Sequence, residues 1–142
     1  MPHLIRSLGA AFAILALAAC NSGETPAQPS SESAVDSNWI AYTPAAFEQA
    51  QADGRTIIVD VFATWCPTCK AQAPILDELQ SEQSLEDAMF FKVDYDEHEA
   101  FLKAHRIPRQ STILVFNGRE EVARSIAETD RERLRAVVLD SV

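Results

Sequence analysis

The residues best placed to do chemistry are two cysteines three apart, in Cys66-Pro67-Thr68-Cys69. What they can do depends on what precedes and follows them. Ile57-Ile58-Val59, Val61 and Phe62 form a short block of β-branched and aromatic residues, which reads as a buried strand. From Lys70 to Leu79 the residues favour helix, with Ile75, Leu76 and Leu79 on one face. The pair therefore sits where a strand hands over to a helix. That puts Cys66 at the helix N-terminus, with Pro67 in the first turn, where a proline forfeits no hydrogen bond.

The position has a chemical consequence. Backbone N–H groups at a helix start are unpaired, and the helix dipole is positive there. Both favour a thiolate, so the Cys66 pKa should fall well below that of free cysteine. Cys69, about one turn further in, is within reach for a disulfide and is expected to be the more shielded of the two. Cys66 is then the nucleophile and Cys69 the resolving thiol.

A Cys-x-x-Cys alone also serves zinc sites, but the pattern here is longer. Asp60, Trp65, Cys66, Cys69, Lys70 and Pro74 stand in the relative positions they hold in the thioredoxin family, and the chain resembles that family from about Trp39 to its C-terminus. The resemblance implies an α/β thioredoxin fold, a central mixed sheet flanked by helices. It implies a protein-disulfide oxidoreductase that needs no organic or metal cofactor and takes protein thiols and disulfides as partners, as a monomer.

The resemblance also assigns supporting roles. Asp60 lies mid-strand among apolar residues, where a carboxylate is expensive unless protonated or paired. In the family the matching Asp lies beneath the disulfide and handles the proton of the second cysteine; Asp60 is then the general base for Cys69, with Lys92 tuning it. Trp65 is expected to pack over the pair and shield it, and Lys70 to aid the thiolate. Trp-Cys-Pro-Thr-Cys also resembles the reductants of cytochrome c maturation. The chain lacks the segment those proteins insert after the active-site helix, so that role is not assigned. A reductant would need electrons from a membrane partner.

One position departs from the family, which carries a cis-proline just before the strand that here begins at Thr112. Ungapped counting from Lys92 puts Ser111 there; Pro108 lies three residues earlier. The register favours Ser111, with a trans peptide, since a cis bond before a non-proline costs about 2.5–4 kcal/mol. Its hydroxyl would lie next to Cys66. It would also leave the cysteines open to a metal, which keeps a second reading alive: a tethered binding module for a client protein or metal ion, with little turnover.

The rest of the chain places this domain. Residues 1–19 resemble a signal peptide, with Arg6 before an apolar run from Leu8 to Ala18 that is short for a membrane span. Leu17-Ala18-Ala19-Cys20 resembles a bacterial lipobox, in which Cys20 is lipidated; acyl chains hold a protein to a bilayer at about 0.8 kcal/mol per buried CH₂. Asn21 after Cys20 favours the outer membrane over the inner. Residues 20–37, rich in Ser, Pro and Glu, cannot fold alone and read as a tether of about 20–25 Å. The expectation is a periplasmic, lipid-anchored protein. A net charge of −9 argues against nucleic acid.

Within residues 38–142 the predicted order is β-α-β-α-β-α-β-β-α: a lead strand at Trp39 to Tyr42, a helix from Thr43-Pro44 to about Ala52 closed by Asp53-Gly54, and the active-site strand and helix. Then come a strand over Met89 to Tyr95, a helix over Asp96 to His105 and a hairpin over Thr112 to Ile126 turning at Asn117-Gly118. A last helix is capped by a box at Thr129 to Glu132. The strands separated by helices imply a parallel core, and the terminal hairpin gives an antiparallel edge. His98 and His105 read as surface histidines; a zinc site would need two further ligands.

Overall fold

The computed structural model describes residues 38–142. The proposed signal, Cys20 and the tether lie outside the described residues. The elements run β1 (Trp39–Ala41), α1 (Pro44–Ala52), β2 (Thr56–Phe62), α2 (Pro67–Leu79), β3 (Met89–Asp94), α3 (Glu99–Ala104), β4 (Thr112–Asn117), β5 (Glu120–Ile126) and α4 (Arg131–Leu139), with a 3-10 turn at Gln83–Leu85. The strands form one sheet in the order β1-β3-β2-β4-β5.

Strand β2 is central because both its faces are apolar. Ile57, Val59 and Val61 point to the side covered by α1 and α3, where they meet Phe47, Phe91, Phe101, Leu114 and Phe116. Ile58 points the other way, against Ile75, Leu76 and Leu79 of α2 and Leu134 and Val138 of α4. This period-two division gives a helix–sheet–helix sandwich. It puts Asp60, in phase with Ile58, on the α2 face.

The sheet is mixed, with the parallel core and antiparallel hairpin edge that the sequence implied. β1 pairs with β3, and β3 with β2, in parallel, but β4 runs antiparallel to both β2 and β5. β4 starts at the end of the sheet where β2 and β3 stop, and Thr112 pairs with Val61.

Helix α3 itself is shorter than expected. The Asp94 side chain accepts from the Asp96 N–H and its carbonyl from the His98 N–H, which makes residues 94–98 a turn. Phe101 is buried, while Ala100 and Ala104 are exposed. Both histidines are partly exposed and pack an edge or face on aromatic rings. His98 lies edge-on to Tyr42, and His105 packs on Phe101, Phe47 and Phe116. Burial holds the His105 pKa below its usual value.

Local signals hold elsewhere, with two one-residue shifts. Thr43 caps α1 by accepting from the Ala46 N–H, Pro44 begins it, and Gly54 follows its end at φ +69. The cap of α4 is Asp130, accepting from the Arg133 N–H, not the Thr129 box. Glu128 takes the role expected of Glu132, accepting from the Asp130 N–H. The hairpin turns on Gly118 and Arg119, since Asn117 is still paired with Glu120; Gly118 has φ +55, which only glycine adopts freely.

Candidate active site

Cys66 is the N-cap of α2. Its Sγ accepts a hydrogen bond from the Cys69 N–H at 3.0 Å, and its carbonyl accepts from the Lys70 N–H. Pro67 takes the first helical position, fixing φ where no N–H is needed. Cys66 and Cys69 are joined in a disulfide, with Cα atoms 5.3 Å apart. The shielding order is the reverse of the expected one: Cys66 is 0% exposed and Cys69 7%. The cause is the chain that approaches from β4, which lies against Cys66.

Ser111 heads that approach. It is fully buried, immediately before β4, and its Oγ lies 3.1 Å from Cys66 Sγ and 3.3 Å from Cys69 Sγ. Its φ is +63, a left-handed conformation unusual for serine. Pro108 is exposed, and no peptide bond among the described residues is cis.

Asp60 lies on the other side of the pair. It is 2% exposed and pairs in register with Lys92 of β3. Lys92 Nζ is 3.6 Å from Asp60 Oδ2 and lies over the rings of Trp39 and Phe62. Burial pushes the Asp60 pKa up to about 6; the nearby Lys92 charge pulls it down but does not win. Asp60 Oδ1 has no hydrogen-bond partner. A small cavity of about 140 Å³ is lined by Asp60, Cys69, Lys70 and Lys92 among others, so the carboxyl and Cys69 share one space. Its walls are largely apolar, from Phe62, Ala63 and Ala73, with Asp60, Thr64, Lys70 and Lys92 as the polar groups, and it has room for a water through which a proton can pass between carboxyl and thiol.

Trp65 does not cover the pair. It is 57% exposed, held by a hydrogen bond from its Nε1 to Asp96 Oδ2 at 2.8 Å. Lys70 is exposed at the cavity mouth; Thr68 is half-buried on the first turn and Pro67 exposed.

Two contributors went unread in the sequence. Gln72 is fully buried, donating to the Glu128 carbonyl at 2.9 Å and the Ser111 carbonyl at 3.4 Å. Its place on the face of Ile75, Leu76 and Leu79 was the available signal. Asp96, the partner of Trp65, carried none, because the contact joins residues 31 apart.

The comparisons agree with this geometry. The thioredoxin family model matches residues 38–140. This chain belongs to the thioredoxin family. It is similar to Thioredoxin-2 of Saccharomyces cerevisiae, 33% identical over 81 residues covering 56% of this chain and 76% of that one. It is 32% identical to Thioredoxin H4 of Arabidopsis thaliana over 92 residues, 65% of this chain and 76% of that one. The crystal structure of Trxlp from Edwardsiella tarda EIB202 aligns with a TM-score of 0.68 at 40% identity, over 70% of this chain and 97% of that one. With its disulfide-forming pair at the start of α2, this thioredoxin-family chain is a protein-disulfide oxidoreductase.

Proposed function

We propose that the chain exchanges disulfides with protein substrates at the periplasmic side of a bacterial membrane, moored there through a lipidated Cys20. The observation that supports the chemistry most is Cys66 Sγ capping a helix while bonded to Cys69.

Reduction of a substrate runs as follows. The Cys66 thiolate attacks one substrate sulfur, a mixed disulfide forms, and the other substrate sulfur leaves with the bonding electron pair and takes up a proton. Asp60, through water in the shared cavity, removes the Cys69 proton. Cys69 then attacks Cys66, the second substrate thiolate leaves, and the pair ends oxidised by two electrons. Run backwards, the same steps oxidise a dithiol. Trp65 and Lys70 flank the approach, and Lys92 restrains the Asp60 charge.

The anchoring rests on Leu17-Ala18-Ala19-Cys20 and on the polar segment that follows. No described helix is long and apolar enough to cross a membrane. The functional test is insulin reduction by the full chain with dithiothreitol as electron source: turnover by the wild type and none by Cys66→Ser. Wild-type protein without turnover would instead leave the binding-module reading. In the same cells, Cys20→Ser should move the protein from the membrane to the soluble fraction; an unchanged distribution rules out the lipid anchor.

A further inference from the structure

Ser111 is the residue at this site that the general scheme leaves without a task. We propose that its hydroxyl is a catalytic residue of the exchange reaction: it donates a hydrogen bond to the Cys66 thiolate and so sets the nucleophilicity and the redox poise of the pair. This rests on the exchange chemistry proposed above and names a group that tunes it.

Three observations carry the inference. The first is contact. Ser111 Oγ is within hydrogen-bond distance of both sulfurs and nearer to Cys66. In the disulfide neither sulfur bears a proton, so the only hydrogen available for either contact is the hydroxyl's. When the bond is reduced, the donor already faces the atom on which negative charge appears. Cys66 Sγ then accepts from two directions, the Cys69 N–H and the Ser111 O–H, while Cys69 Sγ has only the longer Ser111 contact. This asymmetry favours the charge on Cys66.

The second is burial. Ser111 and Cys66 are each 0% exposed. A hydrogen bond to a charge is stronger away from water, and a buried thiolate without donors would be disfavoured. The third is that the backbone holds Ser111 in place against its own preference. Its N–H donates to the Val61 carbonyl, and its carbonyl accepts from the Ala127 N–H and from Gln72. Ala127 is itself left-handed, at φ +56. Two non-glycine residues in that region, bonded to each other beside a reactive pair, persist only because their surroundings fix them. The result is a hydroxyl presented at one point.

The test compares Ser111→Gly and Ser111→Ala with the wild type. Both remove the hydroxyl. Glycine suits φ +63 and keeps the variant folded, whereas alanine retains the strain. The pH dependence of Cys66 alkylation by iodoacetamide is read on the reduced proteins, and the oxidised-to-reduced ratio in glutathione buffers gives the redox equilibrium. A hydrogen bond to a charged group is worth roughly one to two pH units. Both variants should therefore show the alkylation midpoint about one unit higher. Their dithiol form should lose ground by up to about tenfold against glutathione, a potential about 30 mV more negative. The proposal is overturned if both variants keep the wild-type midpoint and equilibrium. It is also overturned if alanine shifts them and glycine does not, since backbone strain would then be responsible. Wild-type insulin reduction is measured alongside; its absence would count against the exchange reading itself, and a midpoint shift in the variants would still register the hydrogen bond.

Discussion

At the scale of single residues, the site is a contest between burial and charge. Asp60 loses that contest as an acid: desolvation outweighs Lys92, and the carboxyl keeps its proton to about pH 6. The sign for stability follows. In the unfolded chain the same group ionises near 3.8, so from about pH 4 to about pH 6 only the folded protein holds the proton. Stability falls across that window as pH rises, and the penalty is complete above it. A rise of about two units corresponds to about 3 kcal/mol. Asp60→Asn should thus stabilise the oxidised protein by up to about 3 kcal/mol in urea unfolding at pH 7, and by almost nothing at pH 4. The same variant should slow disulfide exchange at neutral pH, because Cys69 loses its base. Unchanged exchange rates across neutral pH would remove that role from Asp60. At Cys66 the surroundings differ: two donors, the Cys69 N–H and the Ser111 hydroxyl, meet its sulfur, where none meets Asp60 Oδ1.

At the scale of elements, short-range signals in the chain were enough to place most of the structure. The Thr43-Pro44 start of α1, its Gly54 end and the position of Cys66 at the head of α2 follow from local chemistry. What was illegible depends on contacts distant in sequence. The exposure of Trp65 follows from Asp96, and the burial of Cys66 from Ser111. The α4 cap is a local case in which two neighbours competed. Thr129 and Asp130 both suit an N-cap; Asp130 prevails with Glu128 bonded to its N–H and Arg133 paired to Glu128. Asp130→Ala should therefore cost about 1 kcal/mol of stability, read by urea unfolding, with insulin turnover unchanged. An equal loss from Thr129→Ala, with none from Asp130→Ala, would restore the capping box.

At the scale of the molecule, the parts combine around the end of the sheet where β2 and β3 stop and β4 starts. That end supplies a helix N-terminus, a left-handed serine and a half-neutralised carboxyl around one disulfide. In the function proposed above, the polar segment of residues 20–37 would hold this reactive end within reach of partners beside a membrane. All of that chemistry depends on Cys66 being a thiolate near neutral pH. The direct measurement is the rate of Cys66 alkylation in the reduced full chain as a function of pH, with the labelled peptide identified by mass spectrometry. A midpoint at about pH 7.5 or below is predicted. A midpoint near about 8.5, that of an ordinary cysteine, would contradict the account.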